Sequence, residues 1–218
     1  LSLSISIKIY FIISRKTVNI SIAAAIIGSV VPPVTSLMRE AIRKVTGQEA
    51  LVVNVDMNIG LEVLMDNPSS VGTDLIVGAV AGINRYPVPL ILIDMGTATT
   101  ICVVNENKQY IGGMILPGIG VSMNSLTSRT AQLPRISLDP PKRLIGKNTV
   151  ECMQSGALYG NASCIDGMVD RIQEELGQEA TIVATGGLER IIPLCRHHIE
   201  LDDELLLRGL WIIYEKNK

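Results

Sequence analysis

The stretch from Leu90 to Gly118, LILIDMGTATTICVVNENKQYIGGMILPG, constrains the fold of this chain more than any other. It opens with an apolar run, Leu90 to Ile93, long enough for a buried strand, and Asp94 breaks that run at the strand's end. Gly96 follows, then hydroxyls and small residues at Thr97, Ala98, Thr99 and Thr100. The chain returns through Ile101 to Val104, turns at Asn105-Glu106-Asn107, and comes back through Tyr110 and Ile111 to Gly112-Gly113. The pattern predicts a β-hairpin followed by a third short strand. An aspartate beside a glycine and threonines at such a turn suits a phosphate and its metal ion. The glycine lets backbone N–H groups approach the oxygens, the hydroxyls donate, and the carboxylate holds a cation. The same residues also suit a tight turn in which Asp and Gly serve geometry alone.

The flanking sequence has an α/β rhythm. Leu1 to Phe11 alternates apolar and polar residues in a strand pattern that no Gly, Pro, Asn or Asp interrupts. Ala25 to Val30 predicts a buried strand closed by Pro32-Pro33. Val34, Leu37, Met38, Ala41, Ile42 and Val45 predict an amphipathic helix ending at Gly47, and Ala50 to Val53 a further strand. The loop from Asn67 to Asp74 leads into a helix from Leu75 to Ile83. Arg85 to Pro89 reads as a linker, which places an N-terminal domain at residues 1–86 and a C-terminal one at 87–218. Beyond Pro117-Gly118 a helix is expected through Met123, Leu126 and Thr130, then an irregular loop from Leu133 to Gly146. Asn148 caps a long helix from Thr149 to about Leu176. Its interior holds Gly156, Gly160 and Gly167, each costing roughly 1 kcal/mol relative to Ala, which points to close packing against another element or a partner subunit. Thr181 to Thr185 predicts a strand, Gly186-Gly187 opens a helix at Leu188, and a last helix runs from near Asp202 to Tyr214.

Composition removes several functions. The 19 basic and 21 acidic side chains leave a net charge of -2, and aromatics are 3%, so there is no electrostatic or stacking basis for nucleic-acid binding. Cys102, Cys152, Cys164 and Cys195 form no C-x-x-C pair, and His197 and His198 are adjacent, so metal-ligand spacing is absent. The longest apolar run, near Ile22 to Val34, is too short to span a bilayer, and the N-terminus lacks the continuous core of a signal peptide. The expectation is a soluble cytoplasmic protein with no membrane partner and free thiols.

Four sites stand in order along the chain: Gly72-Thr73-Asp74, Asp94 to Thr100, Asn148-Thr149, and Thr185-Gly186-Gly187. Singly, Asp74 and Asn148 read as helix caps and the glycines as turns. Together, their order and wording resemble type III pantothenate kinases. That family's second half runs D-x-G-T-A-x-T, then G-G-x-I-x-P-G, N-T and T-G-G. These patterns fall here at Asp94 to Thr100, Gly112 to Gly118, Asn148-Thr149 and Thr185 to Gly187, and Ser29-Val30-Val31-Pro32-Pro33 matches a family strand end.

The resemblance implies an actin-like kinase: two ribonuclease H-like α/β domains with a nucleotide cleft between them. It implies ATP-dependent phosphorylation of the primary hydroxyl of pantothenate, the first step towards coenzyme A, by a homodimer using Mg²⁺. Asp74 matches the general base, within a substrate loop of Gly72, Thr73 and Asp74, and Thr149 matches a pantothenate contact near a dimer interface. Thr97 matches an ATP contact, and Gly96, Gly186 and Gly187 belong to the same nucleotide site. Asp94 matches the ligand of a monovalent cation, K⁺ or NH₄⁺.

The chain departs from the pattern in three places. The family's G-A-D-R loop is Gly72-Thr73-Asp74-Leu75 here, so an arginine contact is gone, and Met65 stands where a tyrosine is common. Nothing in Leu1 to Thr17 supplies the family's N-terminal D-I-G-N-T phosphate loop. The unbroken alternation there looks like two strands whose connecting turn is not in the sequence. Leu75 and Met65 leave open two other readings: a non-catalytic binding or regulatory protein on the same scaffold, and a kinase for another small hydroxyl substrate.

Overall fold

The computed structural model describes residues 7–16, 19–29, 31–54, 56–187 and 190–218. In chain order the elements are β1 (Ile7–Lys16), β2 (Asn19–Ser29), α1 (Pro32–Thr46), β3 (Ala50–Val52), β4 (Glu62–Val63), α2 (Thr73–Arg85) and β5 (Leu90–Met95). There follow β6 (Ala98–Val104), β7 (Gln109–Pro117), α3 (Ile119–Ser128), α4 (Thr149–Leu176), β8 (Thr181–Gly186), β9 (Glu200–Leu201) and α5 (Leu205–Asn217). The fold is mixed α/β and divides into two compact units. The first comprises Leu1–Pro87, Asn107–Gly112 and Glu204–Lys218; the second comprises Val88–Glu106 and Gly113–Asp203.

In the first unit β2 is the central strand, antiparallel to β1 and parallel to β3, with Ala25 opposite Ala50. Ala25, Ile27, Ile42 and Ala50 form a small core backed by Met38 and Val52. α1 ends as expected at Gly47, in the left-handed region at φ 70°. Of its apolar residues only Ile42 is buried, while Leu37 and Val45 stay exposed. α2 is buried from Ile76 to Ile83 and packs on α5 and β2. Its small residues permit this: Gly209 of α5 meets the carbonyl of Val77 so closely that no Cβ fits. Of the strand foreseen from Leu1 to Phe11, the part from Ile7 to Phe11 lies in β1. Strand β1 runs on to Lys16, with a register shift between Ile12 and Ile13, and Leu1 to Ser6 lie outside the described residues. The ladder to β2 continues through Lys16, opposite Asn19.

In the second unit the strand order is β7-β6-β5-β8-β9. β5 runs antiparallel to β6 and parallel to β8, and β8 runs parallel to β9. Ile91, Ile93 and Met95 of β5 join Ile101, Val103, Ile182 and Ala184 in a core with Leu158, Ile165 and Val169 of α4. Strand periodicity therefore sends Asp94 to the other face. α4 has the foreseen limits. The Asn148 side chain accepts the Glu151 N–H at 2.9 Å, and Gly177 closes the helix at φ 68°. The helix expected at Leu188 differs: Leu188 and Glu189 lie outside the described residues, and the next element is a 3-10 turn at Ile192–Leu194. Pro193 has no N–H to continue a helix, and the buried carboxylate of Asp166 draws the segment onto α4 by accepting the Arg196 N–H at 2.9 Å.

Candidate active site

The sharpest geometry lies at the end of β5. Asp94 is half-buried, with Thr100 of β6 opposite it on one side and Thr185 of β8 on the other. Residues opposite each other across a ladder share a face, so a carboxylate is flanked by two hydroxyl-bearing residues. A Cβ built on Gly96 would stand 4.0 Å from Asp94 Oδ1, so the carboxylate lies beside the glycine turn. Gly96 and Thr97 are exposed at that turn, which the Gly96 N–H closes onto the Ala98 carbonyl at 2.9 Å.

Two backbone segments clasp the turn. The Gly118 N–H donates to the Thr97 carbonyl at 3.0 Å, immediately before α3 begins. On the other side the Gly187 N–H donates to the Met95 carbonyl at 3.3 Å. Gly186, at φ 101°, passes so near β5 that a Cβ would stand 2.6 Å from the Met95 oxygen. Glycine is required there by both conformation and space. The result is a tightly held glycine turn beside a carboxylate, exposed at Gly96, Thr97 and Gly187, with the N-terminus of α3 next to it. Such an arrangement suits phosphate oxygens and their cation.

Thr149 is the first residue of α4 and is exposed. It borders a groove of about 490 Å³ between α3 and α4, whose walls include Ile119, Met123, Cys152, Met153 and Asn161. Gln154 and Ser155, both buried, donate to the carbonyls of Ser137 and Leu144 and hold the preceding loop against the helix. Glu151 Oε2 accepts the Lys147 N–H at 3.0 Å, and that bond holds its carboxyl below the usual range. Gly156 and Gly160 are exposed, and among the described residues nothing lies near their missing side chains. Cys195, near the Asp166 carboxylate, is pushed up to about 11, first by burial and then by that charge.

In the first unit Gly72 precedes α2, Thr73 begins it, and the half-buried Asp74 stands in its first turn. Oδ1 of Asp74 accepts the Leu75 N–H at 3.0 Å; the other carboxylate oxygen has no hydrogen-bond partner among the described residues. The Thr73 hydroxyl donates to the Ser29 carbonyl at 3.1 Å.

Asp94, Gly96, Thr97, Gly186 and Gly187 thus gather at one strand end, Thr149 stands in the same unit, and Gly72, Thr73 and Asp74 belong to the other. Thr100, part of the run of hydroxyls in the sequence, pairs directly with Asp94 across the ladder, a neighbour the sequence does not specify. Among the described residues no three His, Cys, Asp or Glu side chains cluster as a metal site. A cation here would use Asp94, neighbouring oxygens and the substrate's own phosphates, a donor set that fits hard ions. No helix among the described residues is long and apolar enough to cross a membrane.

Comparison with known proteins agrees with this chemistry. A family profile described as Type III pantothenate kinase matches residues 6–171. A type III pantothenate kinase of Bacillus cytotoxicus is 46% identical over 197 residues, covering 90% of this chain and 75% of that protein. A crystal structure titled as a conserved putative Baf family transcriptional activator from Campylobacter jejuni superposes with a TM-score of 0.54 at 20% identity. It covers 82% of this chain and 77% of that one, a likeness of fold. The protein is a kinase that phosphorylates a small-molecule alcohol. More particularly, it belongs to the type III pantothenate kinase family, whose reaction is the ATP-dependent phosphorylation of pantothenate on the way to coenzyme A.

Proposed function

We propose that this chain transfers the γ-phosphoryl group of ATP to pantothenate with Asp74 as general base. The observation that carries the reading is the glycine-clasped turn beside Asp94 at the start of α3, where side-chain-free backbone leaves room for phosphate oxygens next to a carboxylate suited to a cation. Phosphoryl transfer demands positioning and charge neutralisation more than covalent chemistry, and that is what such a turn supplies. Gly96, Thr97, Gly186 and Gly187 bind the nucleotide. Asp94 holds a monovalent cation, K⁺ or NH₄⁺; Mg²⁺ accompanies the ATP phosphates and neutralises their charge. The strand order β7-β6-β5-β8-β9 supports reading the second unit as a ribonuclease H-like domain.

Asp74 accepts the hydroxyl proton through the oxygen that Leu75 N–H does not engage. Gly72 and Thr149 contribute to the pantothenate site, and the groove beside Thr149 supplies an apolar wall. The open small-residue face of α4 supports a homodimer built on that helix.

The test is a coupled ATP-consumption assay on the natural gene product. Asp74→Asn keeps the size and removes the proton acceptor, so turnover falls by roughly 10²–10⁴. Leu75 replaces a cation whose charge-assisted bond is worth about 1.5–3 kcal/mol, so Leu75→Arg lowers the KM for pantothenate by roughly tenfold to a hundredfold. Absence of pantothenate-dependent turnover in both wild type and Leu75→Arg overturns the kinase reading. Leu75 would then favour the non-catalytic one.

A further inference from the structure

Thr73 stands directly before Asp74, where the G-A-D-R pattern has a methyl group and this chain a hydroxyl. That hydroxyl does not wait for substrate. It donates to the carbonyl of Ser29, 44 residues earlier, at 3.1 Å. Ser29 is the last residue of β2, the strand hydrogen-bonded on both sides in its sheet, and Ile26 and Ile27 just before it have no exposure at all. Its own hydroxyl accepts the Val31 N–H at 3.2 Å, which fixes the strand's exit. The acceptor therefore belongs to a strand held on both sides by its neighbours.

The donor side has little else to hold it. Gly72 supplies no side-chain cap to α2. Among the described residues the Thr73 bond is the one hydrogen bond that ties the first turn of α2 to the sheet. Asp74 Oδ1 is in turn bound to the Leu75 N–H of that same turn, so the carboxylate goes where the helix start goes. A small displacement of a catalytic group costs much more rate than binding, because the reacting atoms must be aligned within a fraction of an ångström.

We propose that Thr73 is a positioning residue: its hydroxyl anchors the start of α2 to Ser29 and so fixes the carboxylate of Asp74 for proton transfer. The expectation of Thr73 as a substrate contact is the competing reading, although its hydroxyl proton is given to Ser29. The proposal rests on Asp74 being the base, and the experiment separates the two.

Thr73→Val keeps the volume and the branched Cβ and removes the donor; Thr73→Ser keeps the donor. Steady-state kinetics on Thr73→Val should show kcat about tenfold lower with the KM for ATP within about twofold of wild type. Thr73→Ser should recover most of the loss. Hydrogen exchange at the Leu75 and Ile76 amides should be faster in Thr73→Val than in wild type or Thr73→Ser. A wild-type kcat in Thr73→Val overturns the proposal, as does failure of Thr73→Ser to rescue. A rise confined to the KM for pantothenate also overturns it, in favour of a direct substrate contact. Asp74→Asn in the same assay tells the readings apart. If it abolishes turnover while Thr73→Val keeps the wild-type kcat, the anchor alone fails. If it leaves turnover intact, the base assignment fails and takes the kinetic role of Thr73 with it.

Discussion

The N–H of Gly118 and the carbonyl of Thr97 are bonded at 3.0 Å, an approach that leaves Gly118 no room for a side chain. An added Cβ would run into the carbonyl oxygens of both Gly96 and Thr97, which are backbone and cannot swing aside. Gly118→Ala should therefore open the β5–β6 turn. Binding of a non-hydrolysable ATP analogue, measured by calorimetry, should weaken at least tenfold, with a stability loss of about 1–3 kcal/mol in urea. Gly120→Ala is the control: nothing lies near its added Cβ, and inside α3 it should be neutral or stabilising by up to about 1 kcal/mol.

Asp94 carries a prediction about ions. Turnover should depend on K⁺ or NH₄⁺ and fall steeply when Na⁺ replaces them. Asp94→Asn should abolish the difference. Equal rates of the wild type in sodium and potassium would return Asp94 to the role of a turn residue.

The start of α4 should respond to acid. Glu151 accepts the Lys147 N–H, and its carboxyl lies below its ordinary value of 4.5 in the folded protein. A group depressed in the folded state contributes stability above its unfolded pKa, and the contribution is lost as pH falls through the folded value. Protection of the Lys147 amide, measured against its intrinsic exchange rate, should thus fall as pH drops below about 4.5, and Glu151→Gln should remove that pH dependence.

Thiol labelling should report on the groove. Cys152 is exposed beside Thr149, whereas Cys102 is buried and Cys195 stays protonated with a pKa of about 11. Iodoacetamide should modify Cys152 first, read by peptide mass spectrometry, and saturating pantothenate should slow it several-fold. Unchanged labelling would move the substrate away from this groove.

The dimer prediction uses the same helix. Gly160 is exposed with free space around it, so Gly160→Arg should fold normally. Sedimentation should show a dimer for the wild type at micromolar concentration and a monomer for Gly160→Arg. A monomeric wild type would remove the dimer from the reading.

What could be read in advance was local. The hairpin after Leu90 and both ends of α4 carry their signals within a few residues: the Asp-Gly turn, the Asn148 cap and the closing Gly177. The neighbours that give these residues meaning were not legible. Thr185 faces Asp94 through a ladder formed by distant segments, and Ser29 serves Thr73 through a carbonyl that every residue possesses. α1 shows the same limit. Periodicity announced a broad apolar face, but burial depends on what covers it, and only Ile42 is fully buried.

One feature of the chain path bears on its synthesis. The apolar residues of α2 leave the ribosome long before α5, the helix against which they pack. The whole second unit is made in between, and it can fold while the first still lacks a wall. The nascent chain thus exposes Val77 and its neighbours until Gly209 arrives to close over them. That interval is when aggregation threatens most and when a chaperone has most to shield. Substitutions in α5 should therefore depress the yield of soluble protein in cells more than they depress the melting temperature of molecules that have already folded.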